Sequence, residues 1–368
     1  MAQSEEFNPM SMAPLRVWLR LLAKVGGVRH LYRARLRQAL ITSLITAIPR
    51  WLEWALYGLL IARTRITKPP IIILGFPRSG TTLLHNLLAH DPDLGYCSNY
   101  QAAIPFCLVG GERLKKKLAS RAPENRGIDN VAADMDLPQE EVFAHAMHSH
   151  RSVTHAFTFP SLTEELYRKY VLMEASDAEV RAWRRGYMQV VKKATYMHGG
   201  KRVVQKATPN LGRLPQIMEM FPGAYYIHIV RNPYDLYPSY MHMLSTLTKS
   251  YTMEDYDSAE LEAGAVRMYQ RIMQNYLRDR SSIPSDRFIE MRFEDLRRDP
   301  MGEISRIYRG FGLDWERAEP PIAAYAATLS SYKQNQYEPD PRVREQVDAH
   351  WRFAVDEWNY GSPPSETP

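Results

Sequence analysis

The stretch IIILGFPRSGTTLLHNLL, residues 71–88, restricts the fold more than any other part of the chain. An aliphatic run ends at Gly75, a second glycine follows at Gly80, and apolar residues at helical spacing begin near Thr81. That order predicts a strand over 71–75, a glycine turn and a helix start. Gly75 and Gly80 permit a backbone path that other residues resist. Successive N–H groups of Arg78 to Thr82 are then expected to point at an anion, beside the positive end of the helix. The phosphate-loop pattern G-x-x-x-x-G-K-[ST] wants lysine at position 81, where this chain has threonine. Without that lysine, chemistry at a γ-phosphate is poorly supported. The cation sits inside the loop instead, as Arg78, suited to a terminal group of lower charge.

Downstream, short runs rich in branched and aromatic residues recur at 202–206 (RVVQK), 225–230 (YYIHIV) and 287–293 (RFIEMRF). Helical patterns at 177–198, 235–249 and 258–279 separate or follow them. The alternation predicts an α/β fold, a P-loop-like parallel sheet flanked by helices. Pro69 and Pro70 mark its beginning, so the expected division is a helical segment over 1–66, an α/β domain over 67–362 and a tail over 363–368. The segment 108–135, with LKKK, Pro and Gly, reads as a mobile, solvated insertion.

Residues 12–65 read as helices, with Arg16, Arg20, Lys24, Arg33 and Arg37 between apolar positions and Trp51, Trp54 and Tyr57 after Pro49. They either pack on the main domain or form an interfacial helix with a basic face and aromatic anchors. The uncharged run at 38–49 is 12 residues long, and Arg50 and Glu53 then interrupt the apolar stretch. A spanning helix needs roughly 18 or more apolar residues, so no transmembrane segment is expected.

Composition leaves the function open but prunes it. A net charge of +6 suits an anionic small molecule or a membrane surface, and no RNA- or DNA-binding signature accompanies it. The two cysteines, Cys97 and Cys107, are not spaced for a zinc site or a disulfide framework, so a reducing cytoplasm is the default compartment. No metal is expected.

YYIHIVRNPYDLYPSYMHM, residues 225–243, repeats the logic of the first loop. Arg231 stands at the carboxyl end of a strand, Asn232-Pro233 turns the chain, and a helix brings Ser239 round to the same side. Ligands of open α/β sheets bind at the carboxyl ends of strands, so both motifs face one crevice. A guanidinium with a hydroxyl suits a second phosphate.

FPRSGTTLLHNLLAHDP resembles the 5′-phosphosulfate loop of sulfotransferases that use 3′-phosphoadenosine 5′-phosphosulfate, and IHIVRNPYDLYPSY resembles their 3′-phosphate motif. RFEDLRRDP at 292–300 and VVQKATPNLGRLPQI at 203–217 are similar to further blocks of that family. The PRSGTT form resembles the bacterial-type and tyrosylprotein-like branch. The resemblance implies that Pro77, Arg78, Ser79, Gly80, Thr81 and Thr82 hold the phosphosulfate, and that Arg231 and Ser239 hold the 3′-phosphate. Arg78 would neutralise charge on the bridging oxygen. Lys206 would add a second positive charge near the transferring group, or else be a surface lysine.

Transfer also needs a base beside the acceptor hydroxyl. The stretch GYCSNYQAAIP at 95–105 has no acid, so the glutamate of the tyrosylprotein-like pattern is not carried over. Glu140 and Glu141, in DLPQEEVFAH after Pro138, are the next candidates, or they complement a helix dipole. His85, His145 and His148 stand in reserve, and Lys333 in SYKQNQYEPD resembles part of a loop closing on adenosine. The competing functions are a nucleotide kinase or hydrolase with a degenerate loop, and a non-catalytic nucleotide-binding module. The greasy N-terminal helices favour a lipid-like or other apolar alcohol as acceptor, with peripheral membrane contact; a sugar or phenol stays open.

Overall fold

The computed structural model describes residues 8–120, 134–329 and 340–361. Lys333, the tail and the middle of the 108–135 segment lie outside the described residues. Five parallel strands form one sheet: β1 (Ile71–Leu74), β2 (Leu94–Tyr96), β3 (Arg202–Lys206), β4 (Tyr225–Val230) and β5 (Phe288–Arg292), in the order β2-β3-β1-β4-β5. β1 is central, with Ile71 opposite Val204 on one side and Tyr225 on the other. All four of its residues are fully buried. Alternation divides them: Ile72 and Leu74 enter the core on one face with Tyr226 and Val230, whereas Ile71 and Ile73 enter the core on the other with Ile227 and Ile229. Each such side chain contributes about 1.5–3 kcal/mol by burial, which explains why the aliphatic run is unbroken.

The sheet matches the sequence expectation except at β2. That strand has three residues, one of them Gly95, and a Cβ there would meet the His198 side chain at 2.7 Å. Its pattern is too short to register as a strand. The chain leaves β1 toward the β2–β3 edge and leaves β4 toward β5, so the connections after these two neighbours diverge. Such a reversal is the topological condition for a ligand crevice at their carboxyl ends.

The helices that matter for the site are α1 (Leu15–Val25), α2 (Arg33–Ile45), α3 (Ala47–Arg63), α4 (Thr81–Ala89), α5 (Cys107–Ala119), α6 (Glu141–Ala146), α7 (Asp177–Met197), α8 (Pro233–Tyr251) and α9 (Ser258–Asp279). α5 adds an unexpected helix to the first part of the 108–135 segment: its Cys107 end is buried, while Glu112, Arg113, Lys116 and Lys117 are exposed as expected of a solvated stretch.

The N-terminal helices differ in how far they enter the core. Val17, Trp18 and Leu21 of α1 join the main core. α2 and α3, separated only by Thr46, form a helical run from His30 to Arg63. By length and composition this run is long and apolar enough to cross a membrane, with 17% of its most apolar window buried. The expectation of no such segment counted Arg50 and Glu53 as interruptions, but both turn inward. Arg50 donates to the carbonyls of Met12 at 2.8 Å and Ser43 at 2.7 Å. Glu53 is buried, pairs with Lys193 of α7 at 2.5 Å and accepts from the Leu108 N–H of α5 at 2.7 Å.

Candidate active site

The β1–α4 loop is held by close contacts. A Cβ at Gly75 would meet Thr81, Ser79 and the Ile229 carbonyl within 2.9 Å. Gly80 has φ of 92° and would press a Cβ into the Phe293 ring at 2.2 Å. Arg78 itself has φ of 73°, a left-handed conformation costly for a residue with a side chain. The resulting turn leads directly into α4, which has no side-chain cap at its N-terminus. Helices leave their first N–H groups without intrahelical partners, so this end suits an anion.

The second motif meets the first. Arg231 Nη1 donates to the Arg78 carbonyl at 2.9 Å, and Arg78 Nε donates to Ser239 Oγ at 3.0 Å. The Arg231 guanidinium also lies 5.1 Å from the centre of the Phe293 ring. Glu294 accepts from the Asn232 N–H at 3.0 Å, fixing the turn between Arg231 and α8. Phe293 and Glu294 were not singled out from the sequence. The block RFEDLRRDP was, but only the fold shows that it backs both loops.

Lys206 ends β3, and its side chain is only 2% exposed, which excludes the reading as a surface lysine. Its ammonium donates to Glu140 Oε1 at 2.9 Å and lies 3.5 Å from Thr82 Oγ1. Glu140 Oε2 accepts from both the N–H and the hydroxyl of Thr208 at 3.2 Å. Thr208, two residues beyond Lys206, is another contact that sequence reasoning missed. A chain of polar contacts thus runs from the start of α4 to a carboxylate with 16% of its side chain exposed.

The neighbouring candidates are placed differently. Glu141 is fully buried, and its Oε2 accepts from the Lys206 N–H at 3.2 Å while Oε1 has no partner. Burial pushes its carboxyl up to about 8, although Lys206 opposes the shift. His85 is buried on α4 with neither ring nitrogen hydrogen-bonded; burial and then Lys206 hold it well below the ordinary imidazole range. His145 faces Trp183, Tyr187 and Gly186 of α7, and His148 faces a cavity beside α1.

A cationic loop, a lysine and a carboxylate thus meet at the carboxyl end of the sheet. Residues 69–317 match the model of the sulfotransferase family. The chain belongs to that family: it is a sulfotransferase, moving a sulfonyl group to a hydroxyl acceptor. It is 30% identical over 348 residues to the omega-hydroxy-beta-dihydromenaquinone-9 sulfotransferase Stf3 of Mycobacterium bovis, covering 93% of this chain and 89% of the relative. The protein of the same name from Mycobacterium tuberculosis matches to the same extent. The fold is similar to that of sulfotransferase STF9 from Mycobacterium avium, with a TM-score of 0.68, 20% identity and coverage of 93% and 88% of the two chains. Sulfotransferase STF1 from Mycobacterium tuberculosis gives 0.62, 19% and 90% of each chain.

Proposed function

We propose that the sulfonyl donor is 3′-phosphoadenosine 5′-phosphosulfate, gripped at its two anionic ends by the two loop motifs. Pro77 to Thr82 and the uncapped start of α4 receive the phosphosulfate; Arg231 and Ser239 receive the 3′-phosphate. Arg78 neutralises charge that develops on the bridging oxygen as its bond to sulfur breaks, and adenosine 3′,5′-bisphosphate leaves. Glu140 is the base that takes the proton of the attacking hydroxyl. Lys206 holds Glu140 in place and brings positive charge to the transferring group. The observation that carries this reading is the Lys206 ammonium, shared between Glu140 and the loop threonine Thr82. Glu141, neutral and enclosed, positions the Lys206 backbone instead.

The acceptor is an apolar, lipid-like alcohol, reached with the N-terminal helices in peripheral contact with a membrane. Two features support this: the exposed apolar side chains of α2 and α3, and the similarity to a protein named for a hydroxylated menaquinone derivative.

Calorimetry with adenosine 3′,5′-bisphosphate and ATP tests the donor. The bisphosphate should bind far more tightly, and comparable binding of ATP would refute the assignment. Arg231→Ala should mainly weaken bisphosphate binding. Arg78→Ala should also lower turnover about 100-fold at saturating donor, read by labelled sulfonyl transfer to a panel of alcohols.

A further inference from the structure

Away from the crevice, α1, the turn after α6 and the middle of α7 enclose a cavity of 270 Å³. Arg16 and Arg20 line it from α1, His148, His150 and Arg151 from the turn, and Arg185 from α7. No carboxylate is among its lining residues. Among the described residues, none of these four arginines forms an ion pair. Glu165, which meets α1 at Lys24, also pairs with Lys169. Arg20 Nη1 reaches only His150 Nδ1, at 3.4 Å, and the Nε of Arg151 is buried without a hydrogen-bond partner.

Arg16, Arg20 and Arg185, exposed at the rim, and the partly buried Arg151 thus line one space that no carboxylate enters. The histidines bear the consequence. Burial first, then Arg151 and Arg20, lower His150 to about 4. Burial, then Lys193, Arg16 and Arg50, lower His148 to about 3. Both remain neutral, so the arginines supply the positive charge of the lining. Guanidinium N–H groups are the donors that suit a phosphate, whose oxygens can accept from several at once.

We propose that this cavity is a second anion site of the enzyme, and that its ligand is a phosphate group, free or carried by a phospholipid. The lipid source has structural support of its own. α1 presents Leu19, 55% exposed, next to Arg20, and the segment leading into it is joined to α3 by the Arg50–Met12 hydrogen bond. A phosphate held here would thus lie beside the apolar N-terminal face. None of the six residues belongs to the donor motifs, so the inference does not depend on the donor assignment.

Titration calorimetry at fixed ionic strength tests it, with the full chain presaturated with adenosine 3′,5′-bisphosphate. Inorganic phosphate and dihexanoyl phosphatidic acid, kept below its micelle concentration, are the two probes. The wild type should bind at least one of them. Arg20→Gln/Arg151→Gln should weaken that binding about tenfold or more, since the pair removes charge-assisted hydrogen bonds to the phosphate oxygens. Arg16→Gln/Arg185→Gln, at exposed positions that leave the fold alone, should do the same. Bisphosphate affinity, measured separately, should stay unchanged in both variants. Tighter binding of the phosphatidic acid assigns the site to a lipid headgroup, and equal binding assigns it to the free ion. If neither probe binds the wild type, or both variants bind as the wild type does, the site does not exist. A failure of the bisphosphate to bind would instead strike the donor assignment.

Discussion

At Glu140 and Glu141 the chain carries two carboxylates in a row, and α6 begins between them. One side chain stays at the crevice beside Lys206 and Thr208, and the other is carried behind β3 into the core. Sequence supplied the pair and the helix start. It could not divide their roles, because the division depends on where β3 passes. Glu140→Gln should abolish most transfer while sparing bisphosphate binding. Glu141→Gln should leave transfer largely intact and change stability instead. In the fold Glu141 holds its proton up to about pH 8, against an ordinary value of 4.5. The folded state therefore binds the proton more tightly, and the stability present below about pH 4.5 is lost as pH rises toward 8. A neutral amide removes that loss, so the variant should gain on the wild type as pH increases, by on the order of a few kcal/mol at pH 8. Thermal melts across pH 5–9 check this; parallel profiles for the two proteins would contradict it.

Among the elements, the central strands were readable because each is a run of branched or aromatic residues ending at a punctuated turn. β1, β3, β4 and β5 lie within two residues of their expected bounds. β2 escaped because three residues at a sheet edge carry almost no pattern, and α5 because its lysines look like those of a loop. The β1–α4 turn was legible through its glycines, whereas its support was not. Phe293 arrives from more than 200 positions downstream and fills the space that a Cβ at Gly80 would need. Gly80→Ala is accordingly opposed twice, by φ of 92° and by that ring. Calorimetry on this variant should show bisphosphate binding weakened at least tenfold, with Arg231 disturbed through the same ring. Unaltered affinity would mean that the loop tolerates another path.

At the scale of the molecule, the sheet crevice, the arginine-lined cavity and the apolar helices share one polypeptide body, and the last of these is the least buried. Trp51 is 62% exposed and Trp54 70%, with Ile45, Ile48, Leu56 and Leu59 similarly open around them. Arg33, Arg37, Arg63, Arg65 and Lys68 flank the patch in sequence. Such a distribution suits the interface of an anionic bilayer. Co-sedimentation with vesicles of phosphatidylcholine and phosphatidylglycerol should capture the protein. Trp51→Ser/Trp54→Ser should release most of it, and added salt should weaken the remainder by screening the flanking charges. Recovery of both proteins in the supernatant would rule out the membrane contact.

The inward turn of Glu53 has a mechanical consequence. Prising α3 from the body would strand an ammonium on α7 and bare the first amides of α5 at the same time, so the greasy helix is riveted on rather than hinged. Its outer surface is thereby tied to the scaffold that carries the sheet.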